Sequence, residues 1–298
     1  MQTETIYHKR FGLFRDPAVR QELERLDPVR DHQRMVHLLV AYEFPYDIVR
    51  SLELALFHTY ASPRVSGLLA RTGEFERHGQ KRYDDTSRLI AQFMESGYDD
   101  EKGQRAIAHM NHIHSHYRID NADYLFVLAT FVTYPINWLR RYGWRALTPN
   151  EELALFTFFM EVGRRMNLHD LPASMADMLA FTTSYEHRHF RYTESNRRVA
   201  DATVRIVEGW FPTWLRFAVK PAASALLTEP LRTAFGYPAA PAWFVKTLEG
   251  ALWLRKWPLR WVTFEHYPSL VEKATYRHYP AGVPAIEAVG PESIRKAG

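Results

Sequence analysis

Histidines cluster in one short stretch, Arg105–Arg118, which holds four of them within eight residues. If the stretch is helical, with about 100° of rotation per residue, His114 is the only one of the four histidines on the apolar face. That face consists of Ala106, Ile107, Met110, Ile113 and Tyr117. Burying an imidazole without a hydrogen-bonding partner is unfavourable, so the sequence predicts a neighbour that satisfies His114.

Two interpretations of His114 stay open on the residues alone. It can be a core histidine that hydrogen-bonds to a carbonyl or a carboxylate. It can also be the axial ligand of a haem iron, which needs a histidine on an apolar helix face beside a flat apolar pocket. The other three histidines, His109, His112 and His116, share the polar face. They fit a solvated surface better than a non-haem metal site, because no carboxylate joins them there.

An earlier helix, predicted over Arg82–Met94, carries a cation and a hydroxyl on its inner face. The side chains that share this face, at spacings of four, three and four residues, are Arg82, Thr86, Leu89 and Phe93. An arginine in such a position stays charged and needs a partner. The partner can be an acid, such as Asp85 or one on another helix. Alternatively, Arg82 and Thr86 place positive charge and a hydroxyl near bound dioxygen or a haem propionate.

The composition is that of an ordinary globular protein, and it excludes several classes of site. The chain has 298 residues, a net charge of +4 and no cysteine, so disulfides, thiolate-bound haem and cysteine-ligated zinc or iron–sulfur clusters are excluded. Basic residues are scattered and no nucleic-acid motif is present, so no nucleic-acid partner is expected. The sequence shows no signal peptide and no membrane-spanning run, which predicts a cytoplasmic or peripheral membrane location.

The elements that must position these residues are almost all helical. Apolar residues recur at spacings of three and four, and strand-like alternation is scarce, so the predicted fold class is all-α. Residues 1–28 are predicted to form an N-terminal arm with one short helix. A single helical domain is predicted over residues 29–280, followed by an irregular tail over residues 281–298.

The segment 210–262 differs in amino-acid composition from the rest of the domain. It contains six of the eight Trp, several Pro, and both Lys and Arg. This composition predicts short amphipathic helices. Aromatic and basic side chains together are typical of a surface that rests on a membrane or passes an apolar substrate inward. The alternatives are helices packed over the main domain, or the interface of a homodimer.

Several stretches together resemble the mpaB-type oxygenases, which share a catalytic domain with the rubber oxygenases called latex-clearing proteins. The stretches that carry the resemblance are Lys81–Thr86, Met110–Phe126, Pro135–Arg145, Glu161–Met166, Asp170–Pro172 and Asn196–Thr203. The likeness covers roughly residues 30–210, and the fungal branch fits better than the rubber-cleaving branch.

This resemblance implies an all-α, globin-like domain that holds haem b through one histidine. His114 matches the iron ligand, Arg82 and Thr86 match the family's Arg-x-x-x-Thr pattern, and Phe93 would contact the haem. The chain departs from the rubber oxygenases at Asp85, where they carry Lys, and at Asn111, where they carry Arg. Fungal members often have an N-terminal membrane anchor, and this sequence shows none.

The resemblance further implies a haem-dependent oxygenase that uses dioxygen on a small hydrophobic substrate. An isoprenoid or other unsaturated substrate, cleaved at a carbon–carbon double bond to carbonyl products, is the expected chemistry. Candidate pocket residues are Leu89, Phe93, Phe126, Phe131 and Phe159. The alternatives are a haem peroxidase or peroxygenase, a non-catalytic haem or lipid carrier, and a non-haem metal site at the three polar histidines.

Overall fold

Helices form nearly all the regular structure in a computed structural model that describes residues 6–263, 269–273 and 276–295. The helices are α1 (Pro17–Arg25), α2 (His32–Leu38), α3 (Pro45–Thr59), α4 (Pro63–Thr72), α5 (Glu74–Ser96), α6 (Glu101–Ser115), α7 (Asn121–Tyr142), α8 (Pro149–Arg165), α9 (Met175–His189), α10 (Glu194–Glu208), α11 (Val219–Leu226), α12 (Glu229–Phe235), α13 (Ala242–Leu259), α14 (Leu270–Lys273) and α15 (Glu292–Arg295). Those ranges contain no strand, only isolated bridges from Phe14 to Arg10 and Val262. The predicted all-α class is confirmed.

Capping residues explain why the helices begin where they do. The Asp120 carboxylate accepts a hydrogen bond from the Ala122 N–H at the start of α7. Thr148 and Glu151 form a capping box at the start of α8. Helix α2 continues as a π-helical turn to Glu43, and Pro45 then begins α3 at a position where its missing N–H costs no helical hydrogen bond.

The centre of the molecule is α7, a long helix with thirteen buried residues. It packs along α3 and also contacts α8 and α9, while α2 lies against α8. Phe126 and Leu139 on α7, and Phe158 and Phe159 on α8, are fully buried. Each such side chain contributes about 1.5–3 kcal/mol through burial, so this layer supplies much of the driving force for folding.

Helices α5 and α6 form an antiparallel pair that stands beside this layer. α5 kinks at His78 (φ −134°, ψ 35°) and then runs to Ser96, with α4 and α10 packed on it. The predicted helix through Arg118 ends earlier, at Ser115. Tyr117 nevertheless packs, half-buried, in the apolar cluster beside α5 and α6.

The C-terminal segment, residues 276–295, differs from the irregular tail that the sequence predicts. It contains a 3-10 turn at Ile286–Ala288 and the helical turn α15. Its buried side chains pack against α5 and α6 through the contacts of Ile286, Val289 and Ile294 with Leu89, Ala106 and Ile113. Residues 296–298 lie outside the described residues.

A buried ion pair holds the C-terminal segment on α5. Lys81 Nζ lies 2.5 Å from Asp85 Oδ2 and donates to the Gly290 carbonyl at 2.7 Å. The Asp85 carboxylate also accepts from the Gly290 N–H at 2.9 Å and from the Tyr279 hydroxyl at 2.5 Å. Asp85, at the position where rubber oxygenases carry Lys, therefore binds the C-terminal segment to α5.

The two regions outside the central layer are also helical. The predicted N-terminal arm contains α1, whose Val19 and Leu23 are buried against the core. In the segment 210–262, a 3-10 turn over Thr213–Ala218 precedes α11, α12 and α13, and α13 is longer than the short helices predicted. Within the described ranges, no helix has the length and apolarity that crossing a bilayer requires.

Candidate functional site

An apolar cavity of about 710 Å³ lies between α3, α5, α6, α7, α10 and the segment 210–252. Its volume is within the range of roughly 300–1,000 Å³ that small-molecule sites occupy. Of the predicted pocket residues, Leu89, Phe93, Phe131 and Phe159 line it. Phe126 does not, because its ring stacks on that of Tyr185 with centroids 4.1 Å apart.

His114 lines this cavity from the end of α6. Its Nδ1 atom is buried and has no hydrogen-bond partner among the described residues, so the predicted satisfying neighbour is not found. The nearest ring is that of Tyr124, with centroids 5.3 Å apart. Burial, and secondarily the positive charge of Arg82, lowers the pKa of His114 to about 4. The imidazole is therefore neutral at physiological pH and retains a lone pair that can bind a metal.

Arg82 lines the same cavity from α5. The predicted ion pair with Asp85 is absent, because that carboxylate binds Lys81. No other acid among the described residues pairs with the Arg82 guanidinium, which is half-buried. A cation without a carboxylate at the wall of an apolar cavity is suited to an anionic group or to developing negative charge.

Thr86 lies one helical turn after Arg82 and also lines the cavity. Its hydroxyl donates to the Arg82 carbonyl at 2.9 Å, which orients the side chain. The hydroxyl oxygen keeps lone pairs that can accept a further hydrogen bond. The structure thus brings Arg82, Thr86, Phe93 and His114 to one cavity, as the sequence predicts, while their roles stay predictions.

The residue pattern did not reveal a second polar group on the cavity wall, formed by Arg50, Glu53 and Tyr83. Arg50 Nη2 lies 2.7 Å from Glu53 Oε1, and the Tyr83 hydroxyl donates to the same oxygen. Burial raises the pKa of Glu53. The sequence does contain a sign of this group, because Glu53 interrupts the apolar run of α3. Oppositely charged residues three apart on a helix, such as Arg50 and Glu53, are however usually a solvated surface pair.

A third polar group marks another edge of the cavity. Arg64 lies 2.6 Å from Asp120 and 3.1 Å from Asp123, and both Arg64 and Asp123 line the cavity. Asp123 also accepts a hydrogen bond of 2.6 Å from the buried Tyr185 hydroxyl. These carboxylates are paired, so they complete the wall rather than offer a vacant ligand.

The three polar histidines of α6 do not assemble into a metal site. His112 and His116 are exposed, and His109 Nε2 is hydrogen-bonded to the Val289 carbonyl at 3.0 Å. Across the part of the chain that the structure describes, no three His, Asp or Glu side chains are grouped to hold an ion. The non-haem alternative at these histidines therefore gains no support.

The cavity has the features that a haem site needs. A neutral, unpaired histidine can ligate iron, the apolar walls can bury a porphyrin ring, and a guanidinium can contact an anionic oxygen. His114, Arg82, Thr86 and Phe93 are the residues placed to make those contacts.

Comparison with known proteins shows the family to which this chain belongs. Residues 48–268 match the family described as "ER-bound oxygenase mpaB/B'/Rubber oxygenase, catalytic domain". The chain is 28% identical over 240 residues to the ER-bound oxygenase mpaB' of Penicillium brevicompactum, which covers 74% of this chain and 56% of that protein. It is also 28% identical over 218 residues to mpaB of Penicillium roqueforti, covering 65% and 72% of the two chains.

A third relative, mpaB of Penicillium brevicompactum, is 29% identical over 195 residues, which cover 58% of this chain and 50% of that protein. The chain thus spans only about half the length of two of these three relatives. The family match covers well over half of this chain and includes Arg82, Thr86, Phe93 and His114. The chain therefore belongs to the family of mpaB/B'-type oxygenases and rubber oxygenases.

Proposed function

We propose that this chain is a haem b-dependent oxygenase that uses dioxygen to oxidise a small hydrophobic, unsaturated substrate. The observation that carries the proposal is the neutral, unpaired His114 in an apolar cavity that also holds the uncompensated Arg82. Membership of an oxygenase family supports it. A globin-like arrangement of the helices around the haem is part of the same prediction.

In this proposal, haem supplies the iron that activates dioxygen, and the chain positions and protects it. His114 provides the protein's ligand. Arg82 would supply positive charge for a propionate or for developing negative charge, and Thr86 would offer a hydrogen-bonding hydroxyl beside it. The aromatic and aliphatic walls, including Phe93, exclude water, so these electrostatic contacts act in a medium of low polarity.

The expected reaction is oxidative cleavage of a carbon–carbon double bond in an isoprenoid-like substrate. Each atom of dioxygen ends on one of the two former alkene carbons, so the products are two carbonyl compounds and no external reductant is consumed. The cavity suits such a substrate because its lining is largely apolar. Its volume, about 710 Å³, is also within the range of small-molecule sites.

The first test is the absorption spectrum of purified protein supplied with haem. Wild type should show an intense Soret band, and His114→Ala should lose it. His112→Ala is the matched control, because His112 lies on the same helix but is exposed, and it should keep the band. A band that survives in His114→Ala refutes this ligand, and a wild type without haem refutes the cofactor.

Turnover then separates the oxygenase from its alternatives. Wild type with haem should consume dioxygen and convert a prenylated alkene to carbonyl products without added peroxide. Strict dependence on hydrogen peroxide would indicate a peroxygenase. Reversible oxygen binding without any product from a panel of alkenes would indicate a carrier.

A further inference from the structure

Large aromatic side chains are exposed between residues 214 and 261, and the described part of the chain does not cover them. We define this aromatic face by Trp214, Phe217, Trp243, Trp253, Trp257 and Trp261, which are between 50% and 79% exposed. Not one side chain of the 18-residue helix α13 is buried. Trp253 and Trp257 lie against each other, with ring centroids 6.2 Å apart. Several large exposed aromatic side chains on one segment indicate a site of interaction rather than an ordinary solvated exterior.

A turn near the N-terminus extends the aromatic face. The Arg15 N–H donates to the Trp261 carbonyl at 2.9 Å, and the Thr263 N–H donates to the Leu13 carbonyl at 2.9 Å. Phe11, at the tip of this turn, is 89% exposed and has a positive φ of 50°, which is unfavourable for a bulky residue. The turn therefore presents an aromatic ring outward beside the tryptophans.

The charge around the aromatic face is positive. Residues 210–262 contain seven Lys or Arg and two acidic residues. Two of the basic residues are paired with acids elsewhere in the chain, and one of the acids, Glu249, is paired with Arg141. Lys246 and Arg260 are exposed and have no acidic partner among the described residues. The Arg260 guanidinium lies over the Trp257 ring, 5.3 Å from its centroid, so a basic group lies directly against the aromatic face.

The same segments form the cover of the cavity. Leu215, Phe244 and Leu252 line the cavity, while the residues next to them in sequence, Trp214, Trp243 and Trp253, point to the exterior. A single layer of chain thus separates the apolar interior from the aromatic face.

We propose that the aromatic face docks on the surface of a lipid bilayer that contains anionic lipids, and that apolar substrate reaches the cavity from the bilayer through this cover. The passage of substrate rests on the proposed function, whereas the docking does not. Tryptophans suit the depth of the headgroups, and Lys and Arg attract anionic lipids. A second copy of the chain fits less well, because a two-fold interface would place this basic surface against itself.

The test is flotation of the haem-loaded protein with vesicles of phosphatidylcholine, with and without phosphatidylserine. We expect wild type to float, more strongly when phosphatidylserine is present. The variant Trp214→Gln/Phe217→Gln/Trp253→Gln/Trp257→Gln should bind about tenfold more weakly or worse, because several large apolar groups no longer leave water. Lys246→Glu/Arg260→Glu should lose the preference for phosphatidylserine.

The matched control is Leu153→Gln/Leu179→Gln, which removes two exposed apolar side chains from α8 and α9, outside the aromatic face. It should float like wild type, and every variant should keep the helical circular dichroism of wild type. Wild type that stays with the soluble fraction, or an aromatic-face variant that floats unchanged, overturns the proposal. A wild-type dimer that becomes monomeric in that variant, with no vesicle binding, also overturns it. A missing Soret band instead counts against the proposed function.

Discussion

His114 combines burial, the absence of a hydrogen-bond partner at Nδ1 and the nearby charge of Arg82. Burial, and secondarily the Arg82 charge, disfavours the protonated ring and lowers its pKa from 6.5 to about 4. Folding therefore favours the neutral imidazole. The corresponding stability is fully present above pH 6.5 and is lost as the pH falls from about 6.5 towards 4.

We accordingly expect the cofactor-free protein to lose more stability than His114→Leu between pH 6.5 and pH 4. The full shift corresponds to about 3 kcal/mol of unfolding free energy, since one pKa unit is about 1.4 kcal/mol. Urea denaturation of both proteins at a series of pH values measures their unfolding free energies. Subtracting one curve from the other removes the contributions of the other titrating groups, which the two proteins share. Parallel curves for the two proteins would refute the assignment of the lowered pKa to His114.

Arg82 acts on the site through its charge. Its replacement by Ala should lower kcat by about 10²–10³, the usual cost of removing one group that stabilises developing negative charge, while the Soret band remains. The same change should raise the pKa of His114 in the cofactor-free protein, because the Arg82 charge is one cause of its depression.

Arg77→Ala serves as the control for this prediction, since Arg77 lies on the same helix but is exposed. Steady-state turnover and an NMR titration of the His114 ring are the two measurements. Unchanged turnover with haem bound would remove Arg82 from the catalytic residues.

Helical periodicity alone placed His114, Arg82 and Thr86 on inward faces, because side chains three and four apart share one side of a helix. Periodicity could not show that Asp85 binds Lys81, or that the His114 Nδ1 has no partner. Those facts depend on which distant residues approach each side chain, and a single sequence does not contain that distance information.

At the scale of elements, α6 meets the end of α5 through a close contact of two glycines. A Cβ atom added to Gly103 would lie 1.7 Å from the Gly97 carbonyl oxygen, so the two backbones must separate to admit a methyl group. This contact sets the position of the helix that carries His114.

Gly103→Ala should therefore destabilise the protein, even though Ala favours a helix over Gly by about 1 kcal/mol. Gly67→Ala in α4 is the matched change: its added Cβ would meet nothing nearer than 3.6 Å, and we expect up to about 1 kcal/mol of stabilisation. Thermal or urea unfolding distinguishes the two signs. A neutral or stabilising Gly103→Ala would show that the two helices can separate at little cost.

Capping residues in the sequence mark where helices begin. They do not show which distant parts of the chain pack together. Asp120 and the Thr148–Glu151 capping box mark starts because they satisfy backbone N–H groups within one turn. The C-terminal segment lacks such signals, and its order comes from contacts with residues about 200 positions earlier, such as Lys81 with Gly290. Composition rich in Pro and Gly therefore did not reveal that residues 281–295 pack against α5 and α6.

At the scale of the whole molecule, the Lys81–Asp85 pair joins the C-terminal segment to α5, about 200 residues earlier in the chain. Removing one member leaves a buried charge without compensation, so Asp85→Ala should cost about 3–5 kcal/mol of unfolding free energy. The double change Lys81→Met/Asp85→Leu should cost less, because no buried charge remains. Urea denaturation provides both values.

The exposed pair of Glu76 and Arg198 is the control, and Glu76→Ala should cost at most about 1 kcal/mol. If Asp85→Ala is no worse than Glu76→Ala, the C-terminal segment is not held by this pair. In that case the apolar contacts of Ile286, Val289 and Ile294 alone anchor the segment.

The order of the site residues along the chain has a consequence for synthesis on the ribosome. Arg82, Thr86 and His114 all lie on the α5–α6 hairpin, whose contacts are local and need little loop closure. The covering residues Leu215, Phe244 and Leu252 emerge more than a hundred residues after Thr86. A nascent chain thus presents its polar site residues before it can enclose them, and the cavity closes only when the last third of the protein has been made.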